Sequence, residues 1–178
     1  MRLRYILLFL ALAAGHESIA QTKHGVYGFA EGGVSVGENT NFIARAAVGY
    51  RFAYQWQVGL GAGLNAAFAR HVPLFTTVRY DLTKKKSTFF LIADGGVTMP
   101  WLMDDQWPDG NSKANKQHWG KYLQGGLGYR LNTGDGAAFT FAATYMHSGF
   151  KLEYLYYGSS NDYKYVFNQL GFTVGFFF

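Results

Sequence analysis

Apolar residues recur at every second position through stretch after stretch of this chain. A period of two admits strands and excludes amphipathic helices. In WQVGLGAGLNAAF, Trp56, Val58, Leu60, Ala62, Leu64, Ala66 and Phe68 share one face. Gln57, Gly59, Gly61, Gly63, Asn65 and Ala67 share the other. The chain ends on LGFTVGFFF, where Leu170, Phe172, Val174, Phe176 and Phe178 alternate with Gln169, Gly171, Thr173, Gly175 and Phe177. Eight such segments are expected, at about 25–36, 41–52, 55–68, 72–82, 87–99, 118–131, 137–150 and 163–178. Each matches or exceeds the roughly 9–11 residues that a tilted strand needs to cross a bilayer. The first segment contains Gly32-Gly33, where a bulge is expected to shift its phase.

The connections between segments alternate as well. The longest are the fifth, PWLMDDQWPDGNSKANK, and the seventh, LEYLYYGSSND, so both emerge on one side. The even-numbered turns FAY, TKKKS and NTGDG fall on the other side, together with both termini. On the apolar face, Tyr50, Phe52, Trp56, Tyr80, Phe89, Tyr129, Phe139, Phe176 and Phe178 gather near the short turns. Phe68, Trp119 and Tyr145 lie near the opposite end. Arg, Asp, Gln and Gly occupy the other face. A soluble barrel turns its polar face outward and has no reason to ring its ends with outward aromatics. Lipid as the outer solvent accounts for both features: short turns on one side with longer loops on the other, and aromatic girdles at the two interfaces.

The eight segments and the alternating C-terminal strand resemble the small eight-stranded outer-membrane β-barrel family, which includes the OmpA transmembrane domain, OmpX and OmpW-like proteins. The fold implied is an all-β, antiparallel, up-and-down, eight-stranded transmembrane barrel. The resemblance also implies that Leu170, Phe172, Val174, Phe176 and Phe178 form the signal read by the barrel-assembly machinery. That machinery and outer-membrane lipid are the expected partners, and a monomer in the cell outer membrane is the expected state. The role expected is non-enzymatic, in envelope integrity or surface interaction, since the architecture says little about activity. The alternatives are a small pore or conduit for small or hydrophobic molecules, and a surface lipid hydrolase.

The first stretch, MRLRYILLFLALAAGHESIAQ, has a basic start at Arg2 and Arg4, then a short apolar run. Ser18 and Ala20 fit a cleavage site before Gln21, so residues 1–20 read as a signal peptide and 21–178 as the barrel domain. No cysteine is present, which excludes disulfides and thiolate metal sites. The formal net charge is +5, but its charges are scattered on an exported chain, so no nucleic-acid partner is expected.

The polar faces place Glu31, Arg45, Arg79, Asp94, Gln124 and Arg130 in the lumen, joined by Gln57, Asn65 and Gln169. Eight strands leave an interior just wide enough for side chains, so these groups are expected to pair and fill it. Glu31 is expected beside Arg45, and Arg79 almost opposite Gly61. Gly49, Gly59, Gly61 and Gly63 leave room for an aromatic ring or an arginine stem. His147-Ser148 raises a hydrolase, but neighbours on a strand face opposite ways, and the His-x-Ser arrangement of lipid A deacylase barrels is absent here. His118 is expected to point inward and His147 outward. Asp104, Asp105 and Asp109 do not have calcium-loop spacing. No catalytic residue, cofactor or metal is therefore expected.

Overall fold

The computed structural model describes residues 25–52, 55–67, 69–101, 116–133, 137–156 and 159–178. The expected leader, most of the fifth connection with Asp104, Asp105, Asp109 and Trp107, and Phe68 lie outside them. The strands are β1 Gly25–Val36, β2 Thr40–Arg51, β3 Trp56–Asn65, β4 His71–Asp81, β5 Thr88–Pro100, β6 Lys116–His118, β7 Gly120–Asn132, β8 Ala138–Tyr156 and β9 Ser159–Phe177. Both β6 and β7 pair with β8, so together they form the sixth of eight staves. Every stave is antiparallel to its neighbours, and β9 returns to β1 to close the barrel.

Closure satisfies backbone groups that lipid cannot. It also sets a stagger. Phe29 leads through Ala47, Gly61, Phe75, Gly96, Tyr122 and Ser148 to Phe167, whereas Phe29 itself meets Phe177. The register therefore slips ten residues in one circuit, from Phe167 to Phe177. A stagger of this kind tilts the strands and fixes which distant strands face one another across the lumen.

Two local expectations are corrected. The pairing of β1 with β2 runs without interruption through Gly32↔Ala44 and Gly33↔Ile43, so no bulge shifts its phase. The break lies at Trp119 instead. His118 faces Lys151, whereas Tyr122 faces Ser148, so the sixth stave carries one extra residue between them. Gly120 sits in that kink, where a Cβ would collide with the Gly149 carbonyl. The seventh connection is also not an eleven-residue loop. Strands β8 and β9 run through most of LEYLYYGSSND, up to the pair Tyr156↔Ser159. The last hairpin therefore projects well beyond β1, whose pairing with β9 stops at Val36↔Leu170.

The outer surface is apolar over the span of the staves. Val48, Leu60, Leu91, Leu123, Leu127, Phe141 and Phe172 are all exposed on it. Leu170, Val174, Phe176 and Phe178 of the terminal strand point the same way. Near the short turns, Tyr50, Phe52, Trp56 and Phe89 are exposed, with Trp56 tilted against Tyr80 at 4.7 Å and Phe89 against Tyr129 at 4.8 Å. Trp119 and Tyr145 are exposed toward the other end. A continuous apolar belt of this size is a lipid-facing surface.

Candidate functional site

The polar faces of the strands meet inside. Glu31 receives two guanidinium groups: Arg45 Nη2 donates to its Oε2 at 2.6 Å, and Arg79 Nη2 donates to its Oε1 at 2.6 Å. Arg45 Nη1 donates to Asp94 Oδ2 at 2.7 Å, and Thr173 Oγ1 donates to Glu31 Oε2 at 3.4 Å. Glu31, Arg45, Arg79 and Asp94 are all buried. A second cluster forms around Asp81. Arg130 Nη1 donates to Asp81 Oδ2 at 2.8 Å, Gln57 Nε2 donates to the same oxygen at 3.0 Å, and Arg130 Nη2 reaches Gln57 Oε1 at 3.3 Å. Tyr122 donates to Gln124, and Asn65 Nδ2 donates to Gln169 Oε1 at 2.7 Å. Three buried arginines thus meet three buried carboxylates, and pairing is the condition for holding charge in a low-dielectric interior. The partly buried Arg51 adds a fourth guanidinium, 5.5 Å from the Phe177 ring centre.

Aromatic rings hold the guanidinium planes. Arg79 lies 3.5 Å from the Phe29 ring centre and 5.2 Å from that of Phe90. Arg130 lies 4.0 Å from the Phe177 ring centre and 5.3 Å from that of Phe90. Phe177, the apolar exception on the inner face of the last strand, is 2 % exposed and stacks on Tyr27 at 5.3 Å. The glycines create the room. A Cβ on Gly128 would strike the Phe90 ring, one on Gly61 the Phe75 ring, and one on Gly49 or Gly59 the Tyr27 side chain.

Glu31 faces Arg45 in register. Arg79 is opposite Gln57 rather than Gly61, whose partner is Phe75, so the space at Gly61 holds a ring instead of a guanidinium. His118 does not point inward. The extra residue at Trp119 reverses its phase, and its Nε2 lies 3.3 Å from Glu153 Oε2 on the exposed face. His147 points outward, with its Nδ1 2.7 Å from Asn168 Oδ1. Asp81 was readable as inward from its alternation with Arg79, but its pairing with Arg130 was not.

One pair was missed altogether. Ser148 turns inward, as alternation requires, and its Oγ lies 3.1 Å from Nε2 of His71, which is fully buried. His71 Nδ1 lies 3.0 Å from the Ala69 carbonyl. That carbonyl can only accept, so Nδ1 donates to it and Ser148 donates to Nε2. The ring stacks on Phe167 at 4.9 Å, within a cluster of Ala69, Phe150, Leu152, Tyr165 and Phe167 that covers the pair. His71 falls between two alternating segments, in what the sequence presents as a loop, so no face was assigned to it. Among the described residues, no three His, Cys, Asp or Glu side chains gather as metal ligands.

The architecture matches solved outer-membrane proteins. The outer membrane protein OprG from Pseudomonas aeruginosa superposes with a TM-score of 0.64 at 17 % identity, over 89 % of this chain and 97 % of that one. Neisserial surface protein A (NspA) superposes with a TM-score of 0.57 at 13 % identity, over 88 % and 96 % of the two chains. This is the fold of a small outer-membrane β-barrel. No protein-family model and no curated protein matches the chain by sequence. The likeness to the two barrels is therefore one of fold.

Proposed function

We propose that this protein is an integral outer-membrane barrel with a closed lumen, serving as a rigid, non-enzymatic platform for its outer hairpin and loops. Its work is in envelope integrity or surface interaction. The observation that carries this reading is the pair of ion clusters across the interior. Glu31, Arg45, Arg79 and Asp94 join β1, β2, β4 and β5, and Asp81, Arg130 and Gln57 join β3, β4 and β7. A channel would have to break these contacts to admit a solute. The test is conductance in planar bilayers after insertion has been verified. No unitary current is expected, and regular channels would replace the platform with a conduit for small molecules.

The hydrolase reading now concerns Ser148 with His71 rather than His147. The pair has the hydrogen bond of an activated nucleophile. However, it lies beneath Phe150 and Phe167, with a backbone carbonyl in place of an acid. Support therefore favours a structural role. A fluorophosphonate probe should leave Ser148 unlabelled in the folded barrel, and specific labelling lost in Ser148→Ala would restore the enzyme reading.

Leu170, Phe172, Val174, Phe176 and Phe178 form the proposed assembly signal, with the barrel-assembly machinery and outer-membrane lipid as partners of a monomer. Leu170, Phe172, Val174 and Phe176 lie on the outer face of β9, and Phe178, one residue beyond it, is exposed with them. Phe176→Ala should slow membrane insertion more than it lowers the stability of the finished barrel.

A further inference from the structure

Outward-facing residues of the last three staves change chemistry row by row toward the outside. Leu170 lies beside Tyr145, then Asn168 beside His147, then Val166 beside Gly149. The next row places Lys164 beside Lys151 and Lys151 beside His118. Lys121 is exposed on the sixth stave, below that row and on the near side of Gly149, which offers no side chain to separate them. Neighbouring strands stand roughly 4.8 Å apart, so the backbones of His118, Lys151 and Lys164 span about 10 Å, with Lys121 one row below them.

Like charges directly opposite across strands repel. Two carboxylates relieve this only in part. Asp162 meets Lys151 at 2.7 Å, and Glu153 meets His118 at 3.3 Å, both from one row further out. Lys116, opposite Glu153, adds a further cation to the same surface. The patch is thus basic, and its face is the outward face of the barrel wall. Below it, Leu123 stands in the His147–Asn168 row and Tyr145 and Leu170 one row lower, each more than half exposed, while Trp119 stands within the patch between His118 and Lys121. The lysines therefore lie where acyl chains end and headgroups begin, on a surface that lateral neighbours in the membrane reach first.

We propose that Lys121, Lys151 and Lys164, with His118, form a binding site for the phosphate groups of a phosphorylated outer-leaflet glycolipid. The acyl chains would lie on the apolar surface around Leu123 and Tyr145. Ammonium groups bind phosphate as point charges, and several converging on one headgroup hold a diphosphorylated sugar better than a neutral one. The assignment rests on the outer-membrane reading, because the row faces headgroups only if the belt below it lies in lipid.

The experiment uses the full mature chain refolded in detergent and checked by its heat-sensitive gel mobility. Loss of that mobility shift would count against the membrane reading itself, separately from this site. The probe is a diphosphorylated glucosamine-disaccharide lipid, compared with the same lipid after phosphatase treatment. Retained lipid is counted by native mass spectrometry. The phosphorylated lipid should be retained, at least tenfold more weakly by Lys121→Gln/Lys151→Gln/Lys164→Gln. The matching Lys84→Gln/Lys85→Gln/Lys86→Gln variant, at the opposite end, should bind like the parent. Equal retention of the dephosphorylated lipid, or an unaffected triple variant, would overturn the site. Displacement by equimolar inorganic pyrophosphate would overturn the lipid as its occupant and leave a general anion site.

Discussion

Glu31 shows how much one side chain can carry in a narrow barrel. It is the acceptor shared by Arg45 and Arg79, so Glu31→Ala leaves two guanidinium groups buried with a partner removed. Breaking a buried pair costs roughly 3–5 kcal/mol, and here one substitution breaks two. The expected result is a clear drop in the urea midpoint for unfolding from lipid vesicles, larger than for Gln124→Ala. Phe177 and Phe176 make a second comparison, since they are chain neighbours on opposite faces. Phe177→Ala removes the ring under Arg130 and beside Tyr27, and a vacated core phenylalanine costs roughly 3–5 kcal/mol. Phe176→Ala loses only contact with lipid and with Phe139, 4.7 Å away, so its equilibrium cost should be the smaller of the two. The same denaturant titration checks both.

At the scale of elements, the sixth stave and the last hairpin are where regular alternation gives way. The kink at Trp119 depends on Gly120 approaching the Gly149 backbone. Gly120→Val should pull β6 away from β8, separating His118 from Glu153, while the barrel below stays closed. Amide hydrogen exchange would read this as faster exchange at 116–118 and 151–153, with 122–132 still protected. The hairpin beyond Phe150 is a separable extension. Shortening it within 153–162 should leave the barrel folded, because its ring closes at Val36↔Leu170 and Tyr122↔Ser148. Deleting through Phe150 and Leu152 should instead uncover the His71–Ser148 pair. Retained heat-sensitive mobility in the first deletion and its loss in the second is the expected pattern.

For the whole molecule, the apolar exterior and paired interior make one joint prediction. The chain from Gln21 to Phe178 should need detergent or lipid to stay dispersed, and it should resist SDS until boiled, so heated and unheated samples migrate differently. Identical migration from protein soluble in plain buffer would mean that the apolar belt had been misassigned to lipid. Charge balance in the lumen extends the prediction to conductance. In the proposed closed barrel Arg45, Arg79 and Arg130 are held by Glu31, Asp81 and Asp94, with Arg51 beside Phe177 as a further lumen cation, whereas Glu31→Ala/Asp94→Ala removes both acceptors of Arg45. That double variant should be the first to pass current, with anion selectivity set by the unpaired arginines.

Alternation along the chain was enough to determine the strand count, the antiparallel order and, outside the kink at Trp119, which side chains face lipid. The physical reason is local: a strand turns successive side chains to opposite faces whatever its neighbours do, and the Leu170–Phe178 set carries that information in nine residues. It also placed Glu31, Arg45, Arg79, Asp94 and Arg130 inside. Which of them touch was partly legible, because Glu31 and Arg45 belong to one hairpin. The remaining contacts were decided by closure. Arg45 reaches Asp94 across the lumen, Arg130 covers Phe177, and His71 meets Ser148, all between strands that are not neighbours. A ten-residue stagger set those meetings, and it is not written in the period of any one strand.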